Sequence, residues 1–129
     1  MEKLNLSIVT PYGEIFSGQV DSITMPGVEG EFGVFYGHSN LLSLLKAGVI
    51  EFAYDNKREL VAIDWGYADV SATKVSIIAN GAVAIGGDDE SAISAGIDSA
   101  RKLLEDASDD RVAISSVVSR IEQVAKSRI

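Results

Sequence analysis

His38 is the single histidine of a 129-residue chain, and it sits between Gly37 and Ser39. A serine activated by a histidine base is the first chemistry to consider, and a small hydrolase would be its outcome. Adjacent residues of an extended chain point to opposite sides, and the G-x-S-x-G elbow that would aim a serine is absent. The glycine-rich stretch from Pro26 to His38 invites a second reading, a phosphate loop. It contains neither G-x-G-x-x-G nor G-x-x-x-x-G-K-[ST], and no helix start is placed to present amides to an anion. Turn chemistry predicts instead a set of tight turns between strands. These would expose the carboxylates of Glu29 and Glu31 as a contact surface.

Two further groups carry charge in a pattern. Asp98 and Arg101 are three residues apart, which makes them neighbours on a helix; they form either a local ion pair or a nucleotide contact. From Arg111 onward the basic residues Arg111, Arg120, Lys126 and Arg128 face one acid, Glu122, although the whole chain has 19 acidic and 11 basic residues. That basic tail is either a solvated face or a docking surface for an acidic partner. The net charge of −8 repels a phosphate backbone, so nucleic acid is excluded as a partner. With no cysteine and one histidine, thiol catalysis, disulfides and Cys- or His-built metal sites are excluded as well. No catalytic constellation emerges, and no cofactor is called for.

The elements that must position these residues fall into two parts. Residues 1–87 read as a β-sandwich domain and residues 88–129 as a helical hairpin, an α+β arrangement. Leu4, Leu6 and Ile8 alternate with Asn5 and Ser7, the pattern of a half-buried strand. Further strands are expected over 20–25, 49–54, 59–64, 67–72 and 75–78. A turn is expected at Thr10 to Gly13, with hairpin loops at Asp55-Asn56-Lys57 and Thr73-Lys74. Gly86-Gly87-Asp88-Asp89 then reads as a linker into a helix, since acids suit a helix N-terminus. Ile93, Ile97, Ala100 and Leu104 share one narrow helical stripe. Ser108-Asp109-Asp110 would cap a second helix with an apolar arc of Ile114, Val117, Val118, Ile121, Val124 and Ala125, antiparallel to the first. Gly96 and the adjacent Val117-Val118 lower helix propensity, so this hairpin needs something to pack against, either the β domain or another protein. A helical element held this weakly can have two homes. The segment Met1 to Glu14 has no signal-peptide pattern, and no window reaches the ~18 apolar residues of a membrane span.

The run Thr10-Pro11-Tyr12-Gly13-Glu14-Ile15-Phe16-Ser17-Gly18 carries a resemblance. So do Pro26 to Val34 with its Glu29-Gly30-Glu31-Phe32-Gly33 core, Gly37-His38, Leu41-Leu42 and Lys46-Ala47-Gly48-Val49-Ile50. With these residues at their spacing, the chain resembles the epsilon subunits of bacterial F-type ATP synthases over its whole length. The resemblance implies a sandwich of two sheets with about five strands each, bound to the gamma subunit and seated on the ring of c subunits. Glu29, Glu31 and His38 match the family segment that meets that ring. It also implies a rotor part without chemistry of its own, peripheral to the cytoplasmic face of the bacterial inner membrane. The helical hairpin of the family can extend along gamma into the alpha/beta catalytic head and block ATP hydrolysis. Arg111, Arg120, Lys126 and Arg128 would make that head contact. Some members bind ATP through an I/L-D-x-x-R-A motif. Ile97, Asp98 and Arg101 match it, whereas Lys102 stands where the final alanine would be. Tyr36 and Asn40 stand where family members commonly carry proline around the Gly-His pair. The alternative left by the residues themselves is a free-standing β-sandwich binding module whose hairpin self-associates.

Overall fold

The computed structural model describes residues 2–85 and 90–107, and Ser119. The order is β1 (Leu4–Thr10), β2 (Gly13–Val20), β3 (Ser22–Gly27), β4 (Gly30–Val34), β5 (Leu41–Leu45), β6 (Gly48–Tyr54), β7 (Lys57–Ile63), β8 (Gly66–Val70), β9 (Lys74–Ala79), β10 (Ala82–Ile85) and α1 (Glu90–Ala107). The second expected helix and the four tail residues Arg111, Arg120, Lys126 and Arg128 lie outside the described residues, apart from the helical Ser119.

The strands pair as β10-β7-β6-β3-β5-β8-β9-β1-β2, with β4 on the other side of β3. Only one residue pair, Gly27↔Leu45, joins β3 to β5. That narrow joint divides the sheet into two layers of five strands: sheet one is β4, β3, β6, β7 and β10, and sheet two is β5, β8, β9, β1 and β2. Every pairing is antiparallel except that of β1 with β9.

Period-two alternation sends one side of each strand into the shared core. Leu4, Leu6 and Ile8 of β1 meet Val75, Ile77 and Ala79 of β9, Ile23 and Met25 of β3, Ile50 and Phe52 of β6, and Val61 and Ile63 of β7. Phe16 of β2 stacks at a tilt on Phe52 with ring centroids 4.5 Å apart, and Tyr54 closes the cluster 5.8 Å from Phe16. These aromatic contacts tie the far edge of sheet two to sheet one, so the sandwich is nearly a flattened barrel.

β7 is buried on both sides. Val61 and Ile63 point into the sandwich, while Leu60 and Ala62 point outward into a second core with Val49, Ile85, Ala100 and Leu104. That second core is where α1 lies. The expected stripe is realised at Ala100 and Leu104, both buried, with Ile97 partly buried against the same cluster. Gly96 has a role beyond its poor propensity: a Cβ built on it would lie 3.4 Å from Ile85 Cα and 3.6 Å from Ile85 Cγ2. A methyl group there already touches β10, and Gly96 with Ala100 lets α1 come down close onto the strand.

The glycine-rich stretch differs from the expected set of turns. It is a β-hairpin: β3 continues through Gly27, Val28-Glu29 turn the chain, and β4 returns with Glu31 opposite Pro26. Glycine is needed where backbones crowd, since a Cβ at Gly27 would stand 2.7 Å from the Gly30 carbonyl oxygen. The Asp55-Asn56 loop fits the expectation. Both residues have positive φ, 50° and 62°, as a two-residue turn matched to strand twist requires. The expected loop at Thr73-Lys74 lies one step earlier, because Lys74 already opens β9 and its amide donates to Ser71 Oγ.

Candidate protein-protein interface

Helix α1 covers the outer side of sheet one. The outer side of sheet two has no such cover among the described residues, and one row of its outward positions is apolar in register, beside a polar row of Asp69, Ser76, Ser7 and Ser17. Leu44 pairs with Tyr67, Tyr67 with Ile78, and Ile78 with Val9, which in turn faces Glu14. Because Leu45, Ala68, Ile77 and Ile8 point into the core, their neighbours Leu44, Tyr67, Ile78 and Val9 form one row across the outer surface. Leu44 is 64% exposed, Tyr67 40% and Ile78 41%. Leu42, two residues along β5, extends the same side, and Val28 joins it, its amide donating to the Leu44 carbonyl at 3.0 Å. The exposed apolar side chains on β5, β8 and β9, with the half-buried Val9 on β1, form one contiguous patch of the kind that marks protein contacts.

Where this surface meets the β3-β4 hairpin, a groove of about 580 Å³ opens between the hairpin and β5. Val28, Phe32, Leu42 and Leu44 line it together with Glu29 and Glu31. The structure thus brings the two sequence-selected carboxylates together on one apolar-walled groove. His38 is not among its lining residues. It lies in the β4-β5 crossing, with its backbone amide donating to the Phe35 carbonyl at 3.2 Å and its Nδ1 donating to the Ser39 carbonyl at 2.7 Å. That ring contact is a backbone carbonyl and no serine hydroxyl, so a Ser–His nucleophile pair is not formed. The same crossing carries the exposed Phe35 and Tyr36. The Tyr36 hydroxyl is held above the ordinary tyrosine range by a hydrogen bond with Glu2, then by the Glu2 charge, with a slight contribution from desolvation. Asp98 and Arg101 are exposed on α1, flanking the buried Ala100.

Sequence reasoning missed the row. β5 was not expected as a strand, although Ile77-Ile78 held a usable signal: adjacent apolar residues on one strand cannot both face the core. The arrangement defines a class, a β-sandwich domain with a helical appendage and an exposed apolar row on one outer side.

Comparison with known proteins narrows the class. Residues 3–85 match the family described as ATP synthase, Delta/Epsilon chain, beta-sandwich domain. Curated relatives named ATP synthase epsilon chain include those of Wolinella succinogenes, 60% identical, and Helicobacter hepaticus, 58% identical. Each alignment covers 100% of this chain and 99% of the relative. A solved structure of the Euglena gracilis mitochondrial ATP synthase, comprising OSCP, F1 and the c-ring, contains a chain that superposes with a TM-score of 0.62 at 26% identity. The match covers 97% of this chain and 76% of that one. A chain of the Tetrahymena thermophila central stalk and c-ring shares the fold at 15% identity, TM-score 0.56. The chain belongs to the ATP synthase epsilon family, whose members are non-catalytic stalk subunits.

Proposed function

We propose that this chain is a central-stalk rotor subunit that couples gamma to the c-ring, with the outer side of sheet two seated on gamma. The observation that carries this reading is the register-matched row Leu44–Tyr67–Ile78–Val9, apolar and exposed on a chain of net charge −8. Family membership favours it over a free-standing module. The groove with Glu29 and Glu31 is the c-ring contact, and His38 contributes from the neighbouring crossing. Carboxylates on an apolar wall suit a partner loop that offers a cation beside apolar side chains. Among the described residues no helix is long and apolar enough to cross a membrane. Attachment is through protein partners at the cytoplasmic face of a bacterial inner membrane.

Residues 88–129 form a separate, releasable domain that inhibits ATP hydrolysis by entering the alpha/beta head, with Arg111, Arg120, Lys126 and Arg128 meeting it. The support is the manner of attachment of α1, which rests on a small patch of Ile85, Leu60, Val49 and Ala62 through Ala100, Leu104 and Ile97. Asp98 and Arg101 are an ATP contact in this scheme, both exposed on one side of that helix. An NMR titration tests this point: shifts at Asp98 and Arg101 support it, and their absence at millimolar ATP ends it.

The deciding experiment is calorimetric titration of the full chain with gamma, followed by reconstitution with the catalytic head. Saturable one-to-one binding supports the rotor role, and absence of binding removes it. Deleting residues 88–129 should raise hydrolysis while leaving assembly intact. Unchanged hydrolysis would remove the inhibitory role alone.

A further inference from the structure

The end of sheet two nearest the β7-β8 turn holds the chain's single tryptophan, Trp65, 56% exposed. An indole left in water at a strand end is unusual for so large an apolar side chain, and here its backbone is fixed by an elaborate clamp. Asp64 Oδ1 accepts from the Trp65 amide at 2.7 Å and from the Gly81 amide at 2.8 Å, while Oδ2 accepts from Asn80 Nδ2 at 2.7 Å. Two backbone bonds complete the clamp: the Asp64 amide donates to the Gly81 carbonyl at 3.2 Å and the Asn80 amide to the Trp65 carbonyl at 3.0 Å. One carboxylate therefore locks the β7-β8 and β9-β10 turns together. The joint admits nothing larger: a Cβ at Gly81 would stand 2.9 Å from Asp64 Oδ2, and one at Gly66 would stand 2.3 Å from the Ile78 carbonyl oxygen.

Trp65 lies in the bend just before β8, two residues ahead of Tyr67 in the chain and beside Asn80, itself two residues after Ile78. The clamp thus fixes the backbone that carries an exposed indole at the end of the apolar row. We propose that Trp65 is the anchor residue of the sheet-two interface, inserting its indole into an apolar cleft of the stalk partner, with the Asp64 clamp as its positioning device. This rests on the reading that sheet two seats gamma. Preorganised aromatic side chains surrounded by apolar contacts are the usual centres of binding energy, because little rotamer and loop freedom is lost on docking. Charge around this corner has both signs: Lys46, one step beyond the Leu45↔Gly66 pair, is exposed nearest Trp65, while Glu29 stands in the neighbouring turn and Glu14 ends the row.

The test labels the full chain with 5-fluorotryptophan, which yields one fluorine resonance, and titrates it with gamma while calorimetry follows binding. The expected result is that the resonance loses its solvent isotope shift on binding. Trp65→Ala should weaken the affinity about tenfold or more, and Trp65→Phe should restore much of it. Asp64→Asn should weaken binding less than Trp65→Ala and broaden the free resonance, as expected once the backbone carrying the indole is no longer clamped. Binding of gamma with an unmoved resonance and an unchanged affinity for Trp65→Ala would overturn the anchor and leave the interface reading standing. Failure of the unsubstituted chain to bind gamma would overturn both.

Discussion

The two outer sides of this sandwich solve the same problem differently. Sheet one turns Val49, Leu60, Ala62 and Ile85 outward and covers them with α1 of its own chain, so that Ala100 and Leu104 become buried. Sheet two turns Leu44, Tyr67 and Ile78 outward into water, with the half-buried Val9 ending their row. Burying apolar area is favourable by about 25 cal/mol per Å² in either case, so the difference lies in who supplies the cover. Cover from within the chain makes the helix part of the packed unit. An uncovered row of the same chemistry makes a binding surface for a partner. Under the proposed rotor role a sandwich needs one side free for other subunits, and sheet two is the side left open.

Charging the open row is the largest perturbation the comparison offers. The double substitution Leu44→Glu with Ile78→Glu buries carboxylates at the proposed contact and should weaken gamma binding by about a hundredfold or more, measured by calorimetry. Because both positions face solvent in the isolated chain, its thermal stability should shift by about 0.5 kcal/mol or less. A large loss of stability without loss of binding would break the contrast between the two sides.

The covered side responds in the opposite sense. Leu104→Ala removes a buried side chain from the second core, at a cost of about 2–5 kcal/mol to helix docking. Hydrogen exchange should quicken over residues 90–107 and stay slow at Ile8, Ile63 and Ile77, while gamma binding through sheet two is retained. Loss of protection throughout the sandwich would show that α1 and the β domain fold as one unit.

Substitution at Gly96 sharpens the account of how closely α1 approaches β10. Gly96→Ala places a methyl group in ordinary contact with Ile85 and raises helix propensity, for a gain of up to about 1 kcal/mol in helix protection. Gly96→Leu overfills the same space and should cost about 1–3 kcal/mol. Destabilisation by alanine as well would mean the contact is tighter than the structure shows.

The smallest effect lies away from both sides. Interaction with Glu2 raises the Tyr36 pKa, so its contribution is present while the phenol is protonated and is lost as pH rises through the raised value, above 10.0. Glu2→Gln should lower the Tyr36 titration midpoint in an ultraviolet absorbance titration and leave gamma binding near neutral pH unchanged.

Much of this arrangement could be read from residue order alone. Alternation in β1, β6, β7 and β9 announced half-buried strands, the Asp55-Asn56 pair announced a tight hairpin, and the stripe through Ala100 and Leu104 announced a helix with one apolar side. The elements that escaped have physical reasons. β2 and β4 are rich in Gly, Ser and Glu, so they carry little apolar alternation. β5, Leu41-Leu42-Ser43-Leu44-Leu45, carries apolar residues on both sides, Leu45 in the core and Leu42 and Leu44 on the exposed side, which erases the period-two signal. β10 is only four residues long. Of the candidate site, Glu29 and Glu31 were found through charge beside glycine. The Leu44–Tyr67–Ile78–Val9 row was not, because it exists only once four strands are in register. The Asp64 clamp on Trp65 likewise joins residues 16 positions apart, a pairing no local pattern encodes.

The central claim is that sheet two, and not the helix-covered sheet one, faces the shaft. Methyl cross-saturation NMR on the complex of this chain with deuterated gamma tests it most directly. The account predicts that the methyl signals of Val9, Leu42, Leu44 and Ile78 lose intensity on irradiation of gamma while those of Val49, Leu60 and Leu104 do not. Attenuation confined to the second group would contradict it.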